Sequence, residues 1–417
     1  MKLVHSDAEQ LRNLVAFWVL GFINNIGYVI MIAGAQEIAS GGVGLVYFFD
    51  IVPALLVKLS GPYWFHLVSY RHRTLVGALW MLLSFLVVAN GKDSLWLQLV
   101  GVAFSGLQSG MMEASFLALS SLYARPVHCL TCWSSGTGLA GVGGYAWIAV
   151  FHLWGNLSFQ TTIELASIFP ILYVFVFLVV LDTSKLPSRT YSYMPLPNGC
   201  SHNLAPIKYI VPPPNEKQME KENVPKESAC DASTLQLKDK LAFLKMLGPY
   251  MIPLTTVYFA EYTMQTGVWS AIGFPVQSKV ARARFYSSAG LTYQAGVFLS
   301  RSSGVLYQAT RPILYVMPVL QVLLLALFTF VAITHWWYNW SLLIGCFIVG
   351  LLGGGVYVNA FTLLSKEISP TRVEFALAAA SVSDTVGIML ADCVGLFLQG
   401  CLYSINSLPG AAINVTC

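Results

Sequence analysis

The sequence predicts an all-α polytopic membrane protein, two helix bundles with about 11 transmembrane helices. Three observations carry that prediction. Of 417 residues, 56% are hydrophobic and 10% are charged, with mean hydropathy +0.66, whereas a soluble domain carries roughly 25% charged residues. Apolar stretches recur from Leu11 to Leu402, each near the roughly 20 residues that a helix needs to cross the hydrocarbon core. Blocks such as Ile171–Leu181 are apolar on every side, which excludes the alternation of barrel strands.

The first bundle, residues 1–182, holds six predicted spans near 12–33, 43–59, 74–90, 95–122, 133–154 and 162–182. Residues 183–245 follow. They are polar and Pro-rich, read PPPNEKQMEKENVPKES at their centre, and have the composition of a flexible cytosolic loop. The second bundle, 246–402, holds five spans near 246–269, 291–308, 312–334, 338–363 and 373–400. Residues 403–417 are too short for a twelfth span and form a short lumenal tail. Six spans, a polar loop and a second bundle are the layout of a two-bundle transporter. Pro53, Pro170, Pro253 and Pro318 fall inside spans and should kink them. After Pro275, VARARFYSS reads as a short amphipathic helix on the lumenal surface. The first apolar run is span-length with no small-residue cleavage pattern behind it, so no cleavable signal peptide is expected.

Basic residues set the orientation. With the N-terminus in the cytosol, cytosolic loops hold Lys58, Arg71, Arg73, Arg125, Arg311, Lys366 and Arg372, and the opposite loops are poor in bases except for Lys279, Arg282 and Arg284. The glycosylation sequons at Asn156, Asn339 and Asn414 all fall on the non-cytosolic side in this topology. The net charge of +4 reflects bases at helix ends, without the clustered bases and exposed aromatics of a nucleic-acid surface. The 8 cysteines are scattered and predict no disulfide framework. Cys129 and Cys132, in CLTC, lack a second ligand pair and read as a membrane-edge pair open to acylation. The histidines lie mostly at loops and span edges, with no paired Ser/His/Asp set, so no catalytic site, metal or cofactor is expected.

Polar side chains inside the spans carry the functional information, because backbone groups in lipid are satisfied within helices. An ionisable group at bilayer depth costs roughly 2.5–3.5 kcal/mol on insertion scales and faces the bundle interior or a wet cavity. Tyr258, Glu261, Tyr262 and Gln265 follow an i, i+3, i+4, i+7 spacing and form one stripe. Gln294 and Arg301 share a face on the eighth span, and Ser381, Asp384 and Thr385 on the eleventh, with Asp392 two turns later. The first half offers Ser105, Ser109 and Glu113 on the fourth span, and Asn24, Asn25 and Tyr28 on the first. Arg301 reads either as an anion-binding arginine in a central cavity, its planar fork suited to phosphate or carboxylate, or as half of a structural ion pair with Glu261 or Asp384. Glu113, Glu261 and Asp384 are the candidate proton carriers, against a purely hydrogen-bonded structural role.

WSSGTGLAGVGG, Trp133 to Gly144, contains a formal GxGxxG, but the dinucleotide motif works only between a strand and a helix, and none precedes it. The informative pattern is Gly136, Ala140, Gly144, small residues every four, repeated as Gly350 and Gly354, which lets helices approach closely.

Six blocks, in order, carry a resemblance: NN-x-x-YV-x-M (Asn24 to Met31), WSSGTG (Trp133 to Gly138), VYFAEY (Val257 to Tyr262), YQAGVF-x-SRSS (Tyr293 to Ser303), LLGG-x-x-YVN (Leu351 to Asn359) and SDT-x-GI (Ser383 to Ile388). Over nearly the whole chain the sequence resembles the battenin family, named for the lysosomal membrane protein lost in juvenile neuronal ceroid lipofuscinosis. The resemblance implies a major-facilitator-like fold in lysosomal and late endosomal membranes. It also implies clearance of glycerophosphodiesters such as glycerophosphoglycerol, with links to lysosomal pH, autophagy and endosomal traffic. Carried over by motif, Glu261, Arg301 and Asp384 sit in the family's most closely guarded blocks. The acidic N-terminal tail and the C-terminal prenylation box of the family are absent here. Tyr193-Met-Pro-Leu196 fits a tyrosine-based sorting peptide of the kind adaptors bind.

The resulting expectation is a carrier for a small anionic phosphodiester in contact with membrane lipid. Arg301 would take the phosphate, Gln265, Gln294, Asn24, Tyr28, Tyr258 and Tyr262 would line the site, and Glu261 or Asp384 would balance Arg301 when the cavity is empty. The alternatives are a non-transporting scaffold for lysosomal and endosomal traffic, and a lipid-modifying membrane enzyme.

Overall fold

The computed structural model describes residues 2–38, 43–183, 237–369 and 372–411, with 413, 415 and 417 beyond them. Among the described residues eleven crossings are made by α1 (Lys2–Ala33), α3 (Val43–Trp64), α4 (Tyr70–Asn90), α5 (Leu95–Ser120), α6 (Pro126–Trp147), α7 with α8 (Phe159–Leu165, Ile168–Phe175), α9 (Leu237–Thr263), α10 (Lys279–Arg301), α11 (Arg311–Thr334), α12 (Leu342–Glu367), and α13 with α14 (Val373–Ala380, Val382–Ile405). The short α2 (Ala35–Ile38) follows the first crossing. Serines set several starts: Ser69, Ser94, Ser158 and Ser278 each accept from a backbone N–H in the first turn of α4, α5, α7 and α10.

Several crossings depart from a straight helix. π-helical turns close α6 (Ile148–Trp154), α8 (Val176–Val180) and α9 (Met264–Val268). The sixth crossing breaks between α7 and α8, four residues before Pro170, whose missing N–H and bulky ring disrupt the turn at Ala166. The eleventh breaks at Ser381, which places Asp384 in the first turn of α14, where the helix dipole favours a negative charge.

Small residues let the helices touch backbone to backbone. A Cβ at Gly136 of α6 would strike the Trp18 carbonyl of α1, and one at Gly106 of α5 would strike the Asp50 carbonyl of α3. In the second half a Cβ at Gly350 of α12 would strike the Tyr293 carbonyl of α10. α9 packs on α14, and the halves meet chiefly where α6 lies on α10 and α3 on α14. Outward faces carry exposed Ile171, Val179, Val319, Leu323, Ile344 and Phe397, the surface that lipid covers.

By length and composition, seven crossings are apolar enough to span a membrane. Among the described residues α5, α6, α9 and α10 fall short of that hydropathy. They are the helices that bring Glu113, Thr137, Tyr258, Glu261 and Arg301 to the interior.

Three sequence expectations are corrected. The amphipathic surface helix after Pro275 is the first half of α10, which runs unbroken from Lys279 and ends at Arg301 rather than near residue 308. No breaker divides it, and Arg282 is buried, its Nη1 donating to the Val276 carbonyl and its guanidinium 5.5 Å over the Tyr403 ring. The start of the seventh span also moves: α9 begins at Leu237, inside the stretch 183–245 read as loop. The cysteines do form one disulfide, Cys401–Cys417. It returns the chain end to α14, with Leu408 packed beside Leu402 and Trp269, a pairing of helix end and tail that spacing alone did not expose. Tyr193, Leu196 and Asn414 lie outside the described residues.

Candidate functional site

Lys58 of α3 is the centre of a buried polar network between the halves. Its Nζ donates to Glu113 Oε2 of α5 at 2.6 Å, to Asp384 Oδ1 of α14 at 3.1 Å and to Thr385 Oγ1 at 2.7 Å. Tyr357 of α12 donates its hydroxyl to the other Glu113 oxygen at 2.7 Å. Lysine and both carboxylates are thus satisfied together, the condition under which buried charge is tolerated.

Arg301 lies beside this cluster, at the end of α10. Its Nη1 donates to Thr137 Oγ1 of α6 at 2.7 Å and its Nη2 to the Tyr258 hydroxyl of α9 at 2.7 Å. The guanidinium stands 4.1 Å over the Tyr357 ring, a cation–π placement. Its Nε is buried without a partner. Among the described residues no carboxylate pairs with it, although Glu113 is within electrostatic reach. The backbone makes room: a Cβ at Gly138 of α6 would lie 3.4 Å from the Arg301 side chain, and one at Gly354 of α12 3.1 Å from it.

Among the described residues neither Glu261 nor Asp384 forms an ion pair with Arg301, although Glu261 is within its electrostatic reach. Asp384 is held by Lys58. Glu261, buried in α9, accepts from Tyr293 at 3.0 Å and from Gln321 Nε2 at 3.5 Å. Its carboxylate rests on the backbone of Gly353, where a Cβ would collide with Oε2.

The tyrosine stripe of α9 does line the seam. Tyr258 and Tyr262 are stacked with centroids 6.1 Å apart, and the Tyr262 hydroxyl meets that of Tyr28 on α1 at 3.4 Å. Gln265 follows in the π-helical turn, buried, with Nε2 unpartnered. Gln294 of α10 packs its amide on Gly141 of α6, again across the halves. Asn24 is placed elsewhere. It is fully buried within the first half, where its Oδ1 accepts from Gln108 at 2.8 Å and from Tyr173 at 3.2 Å, so it ties α1, α5 and α8 together.

Sequence reasoning missed Lys58, Thr137, Tyr357, Tyr293 and Gln321 as members. Lys58 was placed in a cytosolic loop because hydropathy ends the second span at Leu59, whereas α3 continues to Trp64 and buries it. Its spacing from Asp50 and Ala54, i, i+4, i+8 on one face, was the available signal. Asn156 and Asn339 lie exposed in the connections α6–α7 and α11–α12.

Among the described residues, eleven helical crossings around a charged seam give a polytopic membrane protein with a major-facilitator-like fold. The fold matches the crystal structure of the human organic anion transporter MFSD10 (TETRAN) with TM-score 0.62 at 11% identity, over 97% of this chain and 96% of that one. The E. coli fucose:proton symporter FucP aligns with TM-score 0.50 at 12% identity, over 95% and 97%. The sequence profile of the CLN3 protein family matches residues 15–405. Protein BTN1 of Kluyveromyces lactis is 31% identical over 93% of this chain and 94% of its own. Protein btn-1 of Neurospora crassa is 33% identical over 92% and 87%. Battenin of Canis lupus familiaris is 31% identical over 93% and 90%. The chain belongs to the CLN3, or battenin, family.

Proposed function

We propose that the chain carries small anionic phosphodiesters, glycerophosphodiesters such as glycerophosphoglycerol, out of the lysosome. It would reside in lysosomal and late endosomal membranes with its N-terminus in the cytosol, and losing this export would disturb lysosomal pH, autophagy and endosomal traffic. The substrate class comes from the resemblance stated above. The observation that carries the reading is the state of Arg301. It is a cation in the seam whose fork is held by two neutral hydroxyls, Thr137 from one half and Tyr258 from the other, and among the described residues no carboxylate is hydrogen-bonded to it. A phosphodiester entering the seam would accept from both the guanidinium and those hydroxyls, the two-point geometry that arginine offers. Because the hydroxyls belong to opposite halves, binding there can be felt by both, as alternating access requires.

The test is uptake of labelled glycerophosphoglycerol into proteoliposomes holding the full chain, with and without a pH gradient. Saturable uptake by the wild type and its loss in a folded, inserted Arg301→Gln variant are expected. Equal uptake by that variant would overturn the site, and no uptake by the wild type would overturn the substrate and favour the scaffold.

A further inference from the structure

Two acids outside the Lys58 and Arg301 network are buried with unpartnered carboxylate oxygens, both of Asp392 and Oδ1 of Asp50, and the register of the fold puts the two residues opposite each other. α3 and α14 run antiparallel across the seam, fixed in register by the Lys58–Asp384 bridge. Moving along both helices away from that bridge, Asp50 lies eight residues from Lys58 and Asp392 lies eight residues from Asp384, ~12 Å up each helix at the α-helical rise. Further on, Gly44 of α3 meets Leu396 of α14, a Cβ there lying 3.1 Å from Leu396 Cδ2, so the helices stay in contact past the two aspartates. Asp50 is 2% exposed and Asp392 4%. Both oxygens of Asp392 and Oδ1 of Asp50 have no hydrogen-bond partner, and the two carboxyl groups are within electrostatic reach of each other.

Apart from each other, the titratable groups that face them among the described residues are tyrosines. Tyr28 of α1 faces Asp50, and Tyr262 of α9 and Tyr286 of α10 face Asp392. Tyr47 of α3 and Tyr145 of α6 complete the layer through Tyr286 and Tyr262. Ser105 of α5 is the polar neighbour of Asp50. Among the described residues no lysine, arginine or histidine acts on either acid.

We propose that Asp50 and Asp392 form a proton-binding site in the seam, separate from the Lys58 and Arg301 layer, occupied whenever α3 and α14 are closed on each other. Two ionised carboxylates facing one another in a water-excluded interface repel, and each forfeits its hydration, an arrangement costing several kcal/mol per ion. Protons taken from hydronium in the adjoining water remove both penalties. Each forms one O–H bond at a carboxylate oxygen as one O–H bond of hydronium breaks and a water molecule leaves. Separation of α3 from α14 would admit water and let the acids ionise, so proton release follows seam opening. That last step rests on the carrier reading; the site itself does not.

The experiment is infrared spectroscopy of the full chain in nanodiscs in heavy water at neutral pH, with and without carboxyl-13C aspartate. A protonated-carboxyl band that shifts on labelling is expected in the wild type, which needs no substitution. It should be lost in Asp50→Asn/Asp392→Asn and kept in Glu261→Gln. Absence of a label-sensitive band in the wild type, or its survival in the double variant, would overturn the proposal. No solute is present, so failure here is distinct from failure of transport.

Discussion

Lys58 and Asp384 meet at 3.1 Å across the seam, and Glu113 shares the same ammonium at 2.6 Å. This is a charge contact between the two halves of the chain, buried on both sides. Removing the cation alone strands two acids. Lys58→Met should therefore lower stability by about 3–5 kcal/mol. Adding Glu113→Gln and Asp384→Asn should recover most of that loss, because neutral groups no longer need the ammonium. Thermal unfolding of the purified variants reads both. A triple variant no more stable than Lys58→Met would mean that the lysine acts by packing rather than charge.

Close helix approach makes a paired prediction. At Gly350 a new Cβ meets the Tyr293 carbonyl, which α10 cannot move without shifting its backbone. At Gly355, on the same helix, it meets only the flexible end of Met317 at 3.6 Å. Gly350→Ala should cost about 1–3 kcal/mol through overpacking. Gly355→Ala should be neutral or stabilising by about 0.5–1 kcal/mol, since alanine is the better helix former. Melting temperatures of the two variants should move in opposite directions or at least differ by that gap.

The span count and the α9 stripe were legible because both are periodic: apolar runs mark crossings, and Tyr258, Glu261 and Tyr262 share a face whatever surrounds them. Arg301 was legible as a charge held in the interior for a different reason, its rarity in an apolar context. What surrounds it was not, since Thr137 and Tyr357 come from α6 and α12, and a hydroxyl or a ring in a span has no signature until a partner is known. Lys58 was hidden by its position: a base near the end of an apolar run reads as an anchor in the loop, and only helix continuation to Trp64 buries it. Asn24 misled in the opposite sense. A polar residue in a span need not face the cavity when Gln108 and Tyr173 can satisfy it within one half. The start of α10 was misplaced because its basic, amphipathic first turns look interfacial, while Arg282 is in fact folded onto Val276 and Tyr403.

The disulfide joins Cys417 to Cys401 near the end of α14. Such bonds persist in oxidising compartments, and the helix end that carries Cys401 lies on the same side as the α6–α7 and α11–α12 connections by alternation of crossings. Those connections hold Asn156, in the left-handed region at φ 51 that asparagine tolerates, and Asn339, both exposed. Among the described cysteines, alkylation of the unreduced, denatured chain should label Cys129, Cys132, Cys346 and Cys393 and spare Cys401 and Cys417. Asn156→Gln and Asn339→Gln should each remove one glycan, seen as a mobility step on glycosidase treatment. A glycan-free protein from a glycosylating host would put these connections in the cytosol instead.

Arginine at position 301 does more than supply charge. Its fork spans Thr137 and Tyr258 while its face covers Tyr357, and only a planar guanidinium can do all three. Lysine would keep the positive charge with a single point of attachment and no plane to lay on the ring. Hydrogen bonds to a charged group contribute about 1.5–3 kcal/mol each. Loss of one of the two points should thus raise the KM for a phosphodiester roughly ten- to a hundredfold in Arg301→Lys, with a smaller change in maximal rate. A change in KM with maximal rate preserved is the mark of lost uniform binding, and it separates substrate recognition from a defect in the conformational cycle. Concentration series of uptake in proteoliposomes give both constants. An Arg301→Lys protein with wild-type KM would show that charge alone suffices, and the two hydroxyls would then be structural partners of the arginine rather than parts of the solute site.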